Sequence, residues 1–290
     1  MFYLFYVFIW ILAWLPLKVL YLFSDLLYPL VYYVVGYRKK VTRQNLYNSF
    51  PEKSTKELRH IERKFYRFFC DVIIENIYLI HASKKDMKKR FEATDAASKV
   101  IDFYNQGKSV MIMTAHYCNW EWGSAFSLYL PEDKPMYNIY KQLTNGHFDS
   151  FMKVNRERLG SRNVEMKSLL RKMISLKQTN ELACFGMIAD QSPRRKLIHY
   201  WTNFLNQETP VIDGTEQLAH KFNYPVVYIH INRIKRGYYK CTYHIISEDP
   251  SKETPFSITE KYARILEKEI QKKPEYWLWT HKRWKHKKEN

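Results

Sequence analysis

The sequence predicts an α/β protein: a single domain with a mixed central sheet flanked by helices, behind an N-terminal hydrophobic membrane-anchor helix. Three observations carry this. Residues 1–37 hold only two charged side chains, Lys18 and Asp25. From Arg38 onward the chain turns basic and amphipathic. From Asp95 onward, short apolar runs of strand length alternate with longer periodic stretches, the pattern of a sheet covered on both faces. No repeat, low-complexity tract or long linker interrupts the 290 residues. The expected organisation is therefore an anchor and interfacial segment over 1–37 and one domain over 38–290.

As one straight helix the first 37 residues would reach about 55 Å, well beyond a hydrocarbon core of about 30 Å. Pro16 and Pro29 are natural breaks. The expectation is one anchor helix from about Phe2 to Phe23 followed by a segment lying in the interface, with a two-span hairpin and a buried core helix as alternatives. No basic stretch precedes the apolar run and no small-residue cleavage site follows it, which argues against a removed signal peptide. Arg38, Lys39, Lys40 and Arg43 come next. By the positive-inside tendency they put the remainder of the chain in the cytoplasm.

Ser54-Thr-Lys-Glu57 reads as a capping box. The helix behind it carries Leu58, Ile61, Phe65, Phe68, Val72 and Ile73 on one face. Lys56, Arg59, Arg63, Lys64 and Arg67 fall largely off that face, for solvent or for anionic lipid. Beyond it, the periodicity predicts helices over Asp95 to Gln106, Trp120 to Leu130, Gly146 to Leu159, Met166 to Leu176, Thr215 to Phe222 and Ile258 to Lys272. Strands are expected over Ser109 to Thr114, Met136 to Tyr140, Leu182 to Ala189, Val226 to Asn232 and Tyr239 to Ile246.

Composition narrows the partners. The chain has 23 Tyr, 17 Phe and 8 Trp, more rings than a core of this size needs, and amphipathic rings suit a membrane interface. A formal net charge of +18 favours polyanions: nucleic acid, anionic headgroups or an acidic carrier protein. No RNA-recognition signature, zinc spacing or basic-region helix supports the first of these. Cys70, Cys118, Cys184 and Cys241 are far apart and form no C-x-x-C, as expected of reduced thiols.

The stretch MTAHYCNWEWG, residues 113–123, raises the chemical question. His116 directly follows a strand, Asn119 is a good cap for the next helix, and Glu121 falls in that helix's first turn. Positions i and i+5 share no face of a continuous helix, so the pair meets only if His116 lies in the turn. A carboxylate on one imidazole nitrogen fixes the tautomer and raises the basicity of the other, which makes a general base. Free amides at the helix start could hold an oxyanion. The same residues also fit a buried histidine bonded to backbone. A metal pair is disfavoured because H-E-x-x-H is absent. No G-x-S-x-G elbow is present and nothing marks Cys118 as activated.

Taken together, YRKKVTRQNLYNSFPEKS, HYCNWEWG, IYKQL, NRERLG, IADQSP, FLNQETPVIDGTEQLAHKF, PVVYIHINRIKRGYY and PEYWLWTHKRWK resemble, in order and spacing, the late acyltransferases of lipid A biosynthesis within the lysophospholipid acyltransferase superfamily. The resemblance covers nearly the whole chain. It implies transfer of a fatty acyl chain from acyl carrier protein to a hydroxyl of a lipid A precursor at the inner membrane. The catalytic domain would face the cytoplasm, and no metal or cofactor would be required. His116 matches the catalytic histidine and Glu121 its partner carboxylate. Arg156 and Arg158 sit where the family carries its arginine block, and Asp190 and Gln191 match its Asp-Gln block. Asp190-Gln191 is followed here by SPRRK where many members carry a glycine-rich turn. An aminolipid or lysophospholipid acceptor, and a non-enzymatic basic membrane or nucleic-acid-binding protein, are the alternatives. The C-terminal Trp277, Trp279 and Trp284 amid His281, Lys282, Arg283 and Lys285 read either as a frayed basic tail or as an interfacial belt.

Overall fold

The computed structural model describes residues 2–142 and 144–288. The N-terminal segment does not form the single helix expected over Phe2 to Phe23. Helix α1 (Phe2–Leu12) stops, the chain turns, and α2 (Leu17–Pro29) starts afresh behind Pro16. Pro16 has no N–H to continue α1, and its fixed φ suits a helix entry. Pro29 does not break the path. The helix loosens there into a π-helix, Leu30–Val35, and ends at Gly36, which is left-handed at φ +61. Residues Leu17–Val35 are apolar and, by length and composition, long enough to cross a membrane.

The chain then enters α3 (Lys39–Ser49) and the long α4 (Thr55–Leu79). The capping box forms as expected: Glu57 N donates to the Ser54 hydroxyl, and Ser54 N donates to Glu57 Oε2 at 2.8 Å. Leu58, Ile61, Phe65, Phe68 and Val72 are buried, while Ile73 is only half-buried and Ile74 takes its place. Lys56, Arg59, Arg63, Lys64 and Arg67 are all exposed. The same buried face also carries three acids, Glu62, Asp71 and Glu75, which the apolar count passes over.

Next come α5 (Lys84–Arg90), β1 (Phe91–Glu92), α6 (Thr94–Asn105) and β2 (Val110–Thr114). A 3₁₀ helix spans Glu121–Tyr129. It is followed by β3 (Met136–Tyr140), α7 (Gly146–Glu157), β4 (Arg162–Glu165), α8 (Leu169–Gln178) and β5 (Cys184–Ile188). A two-stranded hairpin, β6 (Trp201–Phe204) with β7 (Gln207–Pro210), leads to α9 (Gly214–Phe222), β8 (Val226–Lys235), β9 (Tyr238–Ser247) and α10 (Ser257–Lys272). The helix expected from Met166 starts later, at Leu169, because residues up to Glu165 pair with β3 as an edge strand. Strands this short, and the polar hairpin, carry too few alternations to be read from pattern alone.

The main sheet has seven strands in the order β1-β9-β8-β2-β5-β3-β4. It is mixed: all neighbours are parallel except β8 and β9, which form an antiparallel pair. Central strands β2 and β5 run nearly continuously apolar, as strands covered on both faces do. The C-terminal tryptophans correct both readings of the tail. Trp277 and Trp279 are buried and Trp284 is partly buried, ring against ring, and Arg283 is buried beside them. They are core residues, not a surface belt. They reach the core because Trp277 joins Tyr117 in an isolated β-bridge next to β2.

Candidate active site

Register explains how the site is assembled. Strands β2 and β5 are parallel neighbours with Thr114 opposite Ile188. Two residues further on, His116 and Asp190 again stand side by side, in the crevice beyond the carboxyl ends of the strands where α/β sheets place their ligands. His116 Nδ1 lies 2.7 Å from Asp190 Oδ1. The backbone N of His116 donates to Asp190 Oδ2 at 3.0 Å, and Trp277 Nε1 donates to the same oxygen at 2.8 Å. A carboxylate facing Nδ1 fixes the proton there, so Nε2 carries the lone pair. The Gln191 amide donates to that Nε2 at 3.1 Å. Burial opposes ionisation of Asp190, but the charge of His116 and the hydrogen bonds from His116 and Trp277 outweigh it. They hold the carboxyl below its ordinary value.

This corrects the expected pairing of His116 with Glu121. Glu121 begins the 3₁₀ helix and faces α7, where Arg156 grips it with both prongs: Nε to Oε2 at 2.9 Å and Nη2 to Oε1 at 2.8 Å. The structure also separates the two arginines that spacing left equivalent. Arg156 is at the site. Arg158 turns away and donates to the carbonyls of Leu79 (2.5 Å) and Ala82 (3.4 Å), at the end of α4. That is a favourable place for a cation. Burial disfavours the charge of Arg156, and Glu121 more than compensates, so its pKa rises. His116, Glu121, Arg156, Asp190 and Gln191 thus come together as expected; Arg158 does not.

These groups meet a cavity of about 290 Å³. Its floor is one face of the sheet, contributed at alternate positions: Ile112 and Thr114, Gly186 and Ile188, Ile229 and Ile231. Met136 and Ile139 of β3 at one side and Phe91 and Cys241 at the other complete a mostly apolar lining, with Phe126 from the 3₁₀ helix. From β3 through β5, β2 and β8 to β9 there are five adjacent strands, which at ~4.8 Å spacing extend about 19 Å. Crossing five strands with a mostly apolar lining, the cavity is a slot long enough for an extended hydrocarbon chain. Gly186 keeps it open: a Cβ there would stand 2.9 Å from Met136 Cε.

Cys118 is fully buried between these elements, and burial pushes its thiol pKa well up, so it is no thiolate nucleophile. Among the described residues, no cluster of three or more His, Cys, Asp or Glu side chains is arranged to hold a metal ion.

Comparison with known proteins agrees in extent. The family described as "Bacterial lipid A biosynthesis acyltransferase" matches residues 1–286. The chain belongs to this family. Relatives of this acyltransferase include a lipid A biosynthesis palmitoleoyltransferase of Escherichia coli (strain K12). They also include a lipid A biosynthesis acyltransferase of Shigella flexneri. Each is 23% identical over 291 aligned residues, covering 94% of this chain and 91% of the relative. The bond between Asp190 and His116 is what sequence reasoning missed. With the second strand expected to run to Ala189, the equal offset of two residues beyond Thr114 and Ile188 is visible only in the structure.

Proposed function

We propose that this acyltransferase moves a fatty acyl chain from the thioester of acyl carrier protein to a hydroxyl of a lipid A precursor, at the inner membrane. The observation that carries the reading is His116 Nε2, held with its lone pair toward a mostly apolar slot by the Asp190 bond to Nδ1. The slot takes the acyl chain and brings its carbonyl to the polar end. The acceptor hydroxyl displaces the Gln191 amide from Nε2 and gives its proton to that nitrogen as its oxygen attacks the thioester carbon. Asp190 stabilises the imidazolium. When the carbon–sulfur bond breaks, the imidazolium returns the proton to the departing thiolate. Glu121 holds Arg156, whose guanidinium steadies the negative charge developing on the thioester oxygen or carried by the acceptor's phosphate. No covalent acyl-enzyme is needed.

Association with the membrane is supported by the N-terminal helices. Leu17, Leu20, Tyr21, Ser24 and Tyr28 of α2 are buried against the protein, while Leu22, Phe23 and Leu26 on the opposite side are exposed, as are Phe8 and Ile11 of α1. The basic residues that follow suit a cytoplasmic placement of the catalytic domain. The test is transfer from acyl carrier protein to a lipid A precursor in detergent, read as released carrier thiol and as mass gain on the lipid. Wild-type turnover with none in His116→Ala is expected. Turnover by His116→Ala would remove the histidine from the mechanism, and transfer only to other lipids would replace the acceptor.

A further inference from the structure

The turn that connects His116 to Glu121 is held in an uncommon shape. Cys118 sits at φ +52, a left-handed conformation that costs a non-glycine residue energy unless its surroundings impose it. One side of the turn is fixed by the C-terminal segment: Cys118 N donates to Tyr276 O at 3.0 Å and Leu278 N to His116 O at 3.1 Å. The other side is fixed by Asn119, which is wholly buried. Its Oδ1 accepts from Trp122 N at 3.1 Å, and its Nδ2 donates to Glu75 Oε2 at 2.6 Å.

Glu75 is itself wholly buried in α4, and its carboxylate is a junction. Oε2 also accepts from the Tyr239 hydroxyl of β9 at 2.6 Å, and Oε1 accepts from the Tyr21 hydroxyl of α2 at 2.6 Å. The Trp122 indole N–H donates to the Glu75 carbonyl at 3.0 Å. Around it a second layer seats α2. Ser24 donates to Asp71 at 2.7 Å, and Arg236 spans Asp71 and Asp25 while lying 4.1 Å over the Tyr21 ring. Burial holds the Glu75 carboxyl above its ordinary value, against the pull of the bonds from Tyr21, Tyr239 and Asn119. A buried acid is costly and persists where its partners are fixed.

We propose that Glu75 is a positioning residue that couples the seating of the N-terminal helix α2 to the geometry of the catalytic turn. Tyr21 on one oxygen and Asn119 on the other make docking of α2 and placement of His116 and Glu121 one event. The N-terminal helix is then part of the catalytic scaffold as well as an attachment. The inference rests on the reading of His116 as the general base.

The test uses the full chain in detergent micelles, where membrane attachment is not limiting. Asn119→Asp sets two carboxylates against each other. Glu75→Gln leaves one acceptor oxygen where there were two, so its N–H₂ must face either the Asn119 amide or the Tyr21 hydroxyl. The double variant Glu75→Gln/Asn119→Asp restores a donor–acceptor pair with the roles exchanged. Misplacing reacting groups by about 1 Å costs on the order of 10²-fold. Each single variant should therefore lose about that much kcat with an unchanged KM for the acyl donor, and the double variant should recover at least ~10-fold, as coupled neighbours do. Tyr21→Phe removes one hydroxyl only and should fold in every case; its kcat should fall in the same direction. Independently of turnover, backbone amide exchange over residues 116–123 should quicken in Tyr21→Phe and in each folded single variant, while β2 and β5 stay protected. Unchanged exchange at 116–123 in Tyr21→Phe overturns the proposal, and so does wild-type kcat in that variant. Failure of the double variant to exceed the better single variant overturns it as well. If the wild type itself moves no acyl group, the assigned reaction is wrong, and the exchange arm still decides the coupling.

Discussion

Replacing Asp190 by asparagine keeps the shape of the side chain and removes its charge. In the wild type the carboxylate lies 2.7 Å from His116 Nδ1, so the centres of charge are about 4 Å apart once the imidazole is protonated. At an effective dielectric of about 20 that attraction is about 4 kcal/mol, or a rate factor of about 10³. This falls inside the ~10²–10⁴ expected for disabling a general base. Geometry adds to the loss. If the new amide turns its N–H₂ toward Nδ1, the histidine must carry its proton on Nε2, the nitrogen that has to accept one. If it turns the other way, the His116 backbone N–H and the Trp277 indole N–H both face a donor, at a stability cost of roughly 1–3 kcal/mol for a group left unpaired. Because the Asp190 pKa is lowered in the folded state, its ionisation contributes stability above the unfolded value of about 3.9. That contribution is lost as pH falls through the lower folded value. In Asp190→Asn this part of the acid destabilisation should be absent. The assay is kcat against pH by thiol release, with thermal melts beside it. A folded Asp190→Asn that turns over at the wild-type rate would refute the assignment of Asp190 as orienter.

Four further outcomes are expected. Arg156→Ala should lose most turnover while keeping its melting temperature, whereas Arg158→Ala should melt earlier and keep its kinetic constants. Steady-state kinetics and melts of the pair would show the reverse if the arginines were misassigned. Cys118→Ser should stay active, and intact-protein mass after exposure to the acyl donor alone should show no added acyl group; a stable adduct on Cys118 would demand a two-step route. Burial pushes His281 down to about 4, and its Nε2 accepts from Ser192 N at 3.2 Å. It therefore stays neutral when folded but charges when unfolded. Stability should fall as pH drops from about 6.5 toward that value, and His281→Gln should flatten the fall; a melting temperature level across this range would contradict it. Charge reversal at the exposed Lys84, Lys85, Lys88 and Lys89, at Arg194–Lys196, or at Lys282, Lys285, Lys287 and Lys288 should raise the KM for acyl carrier protein, and added salt should do the same through screening. Equal use of acyl-coenzyme A, with no cluster variant affected, would dismiss electrostatic docking.

What was legible in the sequence follows physical range. Strand β3, expected over Met136 to Tyr140, forms over those residues, and α6, α9 and α10 lie within one or two residues of expectation, because periodicity and caps are local. His116, Glu121, Arg156, Asp190 and Gln191 could be named from the chain, but not who holds whom. Glu121 is five residues from His116, yet the partner is Asp190, brought in by strand register across 74 positions. The tail of tryptophans misleads for the same reason. Its rings are apolar with one polar atom each, which suits an interface or a core equally, and only a bridge to Tyr117 decides between them.

That bridge has a consequence for the order of events during synthesis. The segment 276–279 fixes the backbone at His116 and Cys118 and supplies the indole that completes the Asp190 oxygen. A nascent chain in which the sheet and the helices before it have emerged still lacks this segment until residues 276–279 have left the ribosome. Until then the histidine has no settled carboxylate and no settled turn. A chain halted before residue 276 would hold every side chain that lines the cavity, from Phe91 to Ile231 and Cys241, without the segment that sets the turn and completes the Asp190 oxygen.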